Sequence, residues 1–164
     1  MLDNLVDRSD KVSVYRCLNE KQGICSEQAS LYNYLLLQAG VNSDEIGGPM
    51  EGEDNTRDSH SWVFITLGDQ SYHIDPTWGA GYDCTPLNYF MMTDDIRSTR
   101  DKAVIPELQI GGQGDESRKK LKFDALDDTY SDLWDGLYIG MNREEHLIVY
   151  EDKIGKVKEF SYAS

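Results

Sequence analysis

Long apolar runs, paired cysteines and positive charge are what this 164-residue chain has least of. No stretch approaches the roughly 18 consecutive apolar residues of a membrane-crossing helix, so membrane insertion is not expected. Residues 1–10, Met-Leu-Asp-Asn-Leu-Val-Asp-Arg-Ser-Asp, are polar and carry no apolar block of the signal-peptide kind. A cytoplasmic location follows if the chain is complete, and a secreted or cell-surface one is open if it is a fragment. The cysteines (Cys17, Cys25, Cys84) are too few for a disulfide framework, and their odd number leaves at least one thiol without an intrachain partner. Cys25 is the expected one. With 16 Lys and Arg against 30 Asp and Glu, the net charge is −14. Such a chain repels phosphate backbones and anionic lipid, which argues against nucleic-acid binding. A basic partner or substrate would be favoured, although a solvated carboxylate-rich surface accounts for the charge more simply.

Hydrophobic residues at 39% and aromatics at 10% supply a core of ordinary size for one domain. Residues 3–22 mix charge with spaced apolar positions and read as one or two short helices. Residues 25–39 predict a helix, with Ala29, Tyr32, Leu35, Leu36 and Ala39 as its core stripe and Gly40 as its stop. Ser26 is a candidate N-cap, which sets Cys25 at the helix start. Residues 47–59, polar and glycine-bearing, read as a loop. Residues 60–67 predict a strand buried on both faces, Gly68-Asp69 a type II′ turn, and residues 70–75 the returning strand. Residues 79–88 read as loop and 89–92 as a further short strand. Residues 108–120 read as a loop or linker between a core over 1–107 and a small β-rich extension over 121–164, with strands expected at 136–141, 146–151 and 156–162.

The chemistry-bearing residues sit in three short motifs: Gly-Ile-Cys-Ser-Glu-Gln-Ala-Ser (23–30), His-Ser-Trp-Val (60–63) and Tyr-His-Ile-Asp-Pro-Thr-Trp (72–78). A thiol, an imidazole and a carboxylate are the parts of a nucleophile, its base and the group that orients the base. If Gly68 and Asp69 form the turn, Leu67 pairs with Gln70 and Asp75 falls opposite Trp62. His60 is then a diagonal neighbour of Asp75 on the same face, about 7–8 Å away at the backbone, which side chains can span. A one-residue slip of register would put the two on opposite faces. Helix-start N–H groups stabilise a thiolate, and those of Cys25 or Ser26 could face a developing oxyanion. Taken singly, Cys25 would be a packed thiol and His60 an ordinary strand histidine. Together the three motifs reverse that. Trp62 and Trp78 read as core or cleft wall, and His73 shares the face of Asp75 by alternation but reads first as structural. No CxxC or HxxxH spacing supports a metal site, and no cofactor is implied.

These motifs resemble the core of the transglutaminase-like superfamily, cysteine enzymes of papain-like architecture. Gly23-x-Cys25-x-x-x-Ala29 with Leu35-Leu36 and Ala39-Gly40 is similar to the family's nucleophile helix, and His60-Ser61-Trp62 and Tyr72 to Trp78 to its two strands. Tyr89-Phe90-Met91-Met92-Thr93-Asp94 resembles a segment common downstream, so the likeness covers roughly residues 12–100. It implies an α+β fold with the nucleophile helix packed on an antiparallel sheet, followed by the small β extension. It also implies Cys25 as nucleophile, His60 as base and Asp75 as orienting acid. The activity implied is acyl transfer on amide bonds of a peptide or protein through a thioester, most simply peptide or isopeptide hydrolysis. The alternative is a non-catalytic binding or scaffold module. Family members generally carry more sequence before the nucleophile, often with a Gln or Trp oxyanion donor. Here Gln22 and Asn19 are the amides on offer, and the core is expected to be N-terminally short, with further domains in a longer protein.

Overall fold

The computed structural model describes residues 14–21, 23–52, 56–80, 84–110 and 124–162. They form a mixed α+β architecture built on two antiparallel four-stranded sheets. The first sheet has the order β3-β2-β1-β5, from β1 (Asn42–Glu51), β2 (Arg57–Leu67), β3 (Gln70–Ile74) and β5 (Gln109–Ile110). The second has the order β4-β6-β7-β8, from β4 (Thr85–Pro86), β6 (Leu137–Asn142), β7 (Leu147–Glu151) and β8 (Val157–Ser161). The helices are α1 (Val14–Glu20), α2 (Cys25–Gln38), the single turn α3 (Pro76–Gly79) and α4 (Asp94–Thr99).

β2 and β3 hold the expected register, from Leu67↔Gln70 to Val63↔Ile74. Gly68 takes φ 64° while Asp69 stays out of the left-handed region, as a type II′ turn requires. β2 is buried on both faces. Val63 and Ile65 pack with Ala29, Tyr72, Ile74 and Met91 on the α2 side, and Trp62 packs with Ile46, Met50, Ala103 and Leu108 on the other.

Several sequence expectations are corrected. Residues 47–51 and 57–59 are strand rather than loop: β1 pairs with β2 from Asn42↔Thr66 to Glu51↔Arg57. Gly48 looks like a turn former, but a Cβ there would sit 2.7 Å from the Leu108 side chain, so the glycine admits a close approach within the strand. Gln109–Ile110, expected in a linker, pairs with that same strand at Ile46 and Gly47. Residues 89–92 form no strand. Met91 turns the backbone to φ 54°, leaving one isolated bridge, His73↔Met92. The N-cap of α2 is Ile24, whose N–H donates to the Glu27 carboxylate at 2.7 Å, so Ser26 lies within the first turn. Lastly, Leu35 is 53% exposed, because it lies about 90° around the helix from the centre of the Ala29, Tyr32 and Leu36 face.

Residues 124–162 hold the three expected strands, and their Leu133, Ile148 and Tyr150 form a third cluster with Leu87. Within residues 79–88, expected to be loop, Thr85 and Pro86 instead form β4, which enters their sheet through Thr85↔Tyr138 and Pro86↔Leu137. Phe90 and Tyr130 pack against both this cluster and the α2-side cluster, and Tyr72 Oη donates to Asp127 at 2.6 Å. No helix among the described residues is long and apolar enough to cross a membrane.

Candidate active site

Cys25 is the first residue of α2, partly exposed and free of any disulfide. At this position its own N–H and that of Ser26 belong to the helix's unpaired first turn. Ser26 and Ser61 backbone N–H groups both bear on the sulfur. The His60 hydrogen bond holds the thiol below its ordinary value against the opposing effect of burial. A helix start aimed at the sulfur acts in the same direction.

His60 projects from β2 and is 8% exposed. Its Nε2 lies 2.7 Å from Asp75 Oδ2, which leaves Nδ1 for the Cys25 thiol. Burial alone would lower the proton affinity of His60. The hydrogen bonds with Asp75 and Cys25, and the charge of Asp75, reverse this and push the ring up to about 9. A lowered thiol beside a raised imidazole favours the thiolate–imidazolium pair near neutral pH.

Asp75 is placed by the Asp-Pro-Thr-Trp sequence. It ends β3 and serves as N-cap of α3, with Pro76 in the first turn, where no N–H is needed. Its Oδ1 accepts from Thr77 N at 3.0 Å and Trp78 N at 3.1 Å, so the cap also fixes the carboxylate's rotation. Burial works to raise its pKa, but the His60 hydrogen bond and the Arg97 charge hold it below the usual carboxylate value.

The remaining candidates divide. Trp78, 37% exposed, stacks on His60 with centroids 4.5 Å apart and planes 14° from parallel. Trp62 is fully buried, 5.9 Å from the His60 ring, and its Nε1 donates to His73 Nδ1 at 2.9 Å. His73 is also fully buried, with Nε2 2.7 Å from Asp94 Oδ1. Burial holds its pKa low, which fits a neutral ring that takes the indole proton on one side and donates on the other. His73 therefore braces Trp62 from within the core. Ser26 contributes its backbone. Gln22 lies outside the described residues, and Asn19 Nδ2 donates to the carbonyl of Tyr15 at 3.0 Å.

One residue at the site was missed by the sequence reading. Arg97, on α4, is fully buried and donates from Nη2 to Asp75 Oδ2 at 2.7 Å and from Nη1 to Asp101 Oδ2 at 2.9 Å. Its guanidinium lies over Trp62 at 4.2 Å and Trp78 at 4.9 Å from the ring centroids. The Arg97–Asp101 spacing was readable as an ordinary helical ion pair. Nothing local tied Arg97 to Asp75.

The fold and the site thus define an α+β protein in which a hydrogen-bonded imidazole–carboxylate pair lies beside a partly exposed thiol at a helix start, the imidazole lowering that thiol's pKa. No protein-family model matches the chain, and no curated protein matches it.

Proposed function

We propose that this chain is a cysteine acyl-transfer enzyme of the transglutaminase-like superfamily, with a papain-like core, acting on amide bonds of a peptide or protein. The observation that carries the reading is the linkage of His60 to both Cys25 and Asp75. The thiolate attacks the amide carbon, and the carbonyl oxygen becomes an oxyanion within reach of N–H groups at the α2 start. His60, protonated at Nδ1, gives that proton to the departing amine as the C–N bond breaks, leaving a Cys25 thioester. Water, deprotonated by the now neutral His60, attacks the thioester, releasing a carboxylic acid and restoring the thiolate–imidazolium pair. Asp75 stays ionised and accepts the hydrogen bond from His60 Nε2–H throughout, holding the ring's orientation. Hydrolysis of a peptide or isopeptide is the preferred outcome, and an amine in place of water would give transglutaminase-type transfer.

The protein carries its own reference thiols for the test. With iodoacetamide at pH 6, Cys25 should be alkylated at least about tenfold faster than exposed Cys84, because only the thiolate reacts. The Cys25→Ala variant should lose all hydrolysis of fluorogenic peptides. A Cys25 no more reactive than Cys84 overturns the acyl-transfer reading and leaves the non-catalytic module.

A further inference from the structure

We infer that Arg97 is a positioning residue that sets the proton affinity of His60 through the carboxylate oxygen the two residues share. Asp75 Oδ2 accepts both from His60 Nε2 and from Arg97 Nη2, each at 2.7 Å. Its other oxygen is taken by two backbone N–H groups. The carboxylate is therefore saturated with donors and cannot swing to favour one partner. A buried carboxylate facing only an imidazole would grip its proton strongly in so dry a setting. A guanidinium on the same oxygen divides that charge and adds a like charge near the ring. The consequence is an imidazolium stable enough to keep Cys25 ionised and weak enough to give its proton away.

The geometry around Arg97 fits this role better than that of a general structural brace. A buried arginine is costly unless it is paired and hydrogen-bonded. Here Nε has no hydrogen-bond partner among the described residues, while both Nη groups are committed to carboxylates. The guanidinium also sits over Trp78, the ring that stacks on His60, so Arg97 holds that cover as well as Asp75. The charged and titratable groups facing His60 are Cys25 from α2, Asp75 from the end of β3 and Arg97 from α4, with Asp101 behind Arg97. Asp101 partly neutralises Arg97. It is thus a second, opposite lever on the same ring.

This rests on the acyl-transfer reading for its purpose, but its test does not need turnover. The NMR titration of the His60 ring is followed in the intact chain, in Arg97→Met, in Arg97→Lys and in Asp101→Asn. Arg97→Met should raise the pH at which His60 loses its proton by about 1, since a charge at this range moves a neighbour by that order. Asp101→Asn, which unmasks Arg97, should lower it, and Arg97→Lys should stay near the parent. Opposite shifts from two residues in contact are not what a loss of packing produces. If both variants leave His60 unmoved, or move it the same way, the inference is overturned. Should Arg97→Met not fold, the sign of the Asp101→Asn shift decides. Absent peptide turnover in the parent would end the acyl-transfer reading while this titration stands.

Discussion

The two sheets bury different things. The buried polar and charged residues among those described (Glu27, Ser43, His60, Ser61, His73, Asp75, Thr93 and Arg97) all belong to the first sheet and the helices around it. The core of the second sheet is Leu87, Leu133, Ile148 and Tyr150, with aromatic rings packed about them. Placing ionisable groups out of water costs several kcal/mol each unless they are paired, and the first sheet makes that arrangement around one thiol. The second sheet holds itself together by apolar burial and contributes the wall on which the first region rests. Cost without an obvious gain in stability marks the working part of the molecule.

A substitution in the second core should separate the two regions most sharply. Leu133 is fully buried, and Leu133→Ala removes apolar contact and leaves a cavity, which should cost about 3 kcal/mol of unfolding free energy in denaturant titration. Cys25 alkylation in the folded fraction should keep its parent rate. A loss of Cys25 reactivity in fully folded protein would show that the second sheet shapes the site as well as covering it.

The first region should show its charge in a pH series. His60 binds its proton up to about 9 in the folded chain, against 6.5 when unperturbed, so its stabilising contribution is complete below pH 6.5 and is lost as pH rises through about 9. The Cys25 thiol, lowered from 9.0, works in the opposite sense and contributes most above that pH. The two trends offset each other in the parent, so the His60 fall stands alone in the Cys25→Ala background, where urea unfolding should show stability declining between pH 6.5 and 9. Leu133→Ala should lower the whole curve without changing its slope. His60→Gln should flatten it, and an unchanged slope in that variant would remove His60 from the account.

The part of this comparison legible in the sequence is uneven for physical reasons. The hairpin was readable because Gly68 permits one turn geometry and strand alternation is then fixed, so His60 and Asp75 met as expected. The start of α2 was readable from its apolar spacing, but its cap was not, because Glu27 reaches back to Ile24 where a cap side chain was expected at Ser26. β1 was hidden by Gly47, Gly48 and Pro49, whose local preference is for turns while Leu108, far along the chain, needs the space at Gly48. Arg97 was hidden more completely. Its partner Asp75 comes from another element, and an arginine on a short polar helix ordinarily points to water.

The seam between the two regions offers the finest test. Trp134, from the second region, donates its Nε1 proton to the Phe90 carbonyl at 3.0 Å, and Phe90 packs against clusters of both regions. Trp134→Phe keeps most of the ring's bulk and removes that one bond, so it should cost about 1 kcal/mol. The midpoint of thermal unfolding should then fall by a few degrees in a chain of this length. Both regions should still melt in a single transition, because Phe90 and Tyr130 are shared by the two cores and β4 ties the first segment into the second sheet. Tryptophan fluorescence reports on Trp62 and Trp78 in the first region, and far-ultraviolet circular dichroism reports on both sheets. Two separated transitions in this variant would mean that the regions are independently stable and that the shared aromatic rings couple them only weakly. Coincident transitions shifted together would mean that the charge-burying site draws stability from a core that contains no charge.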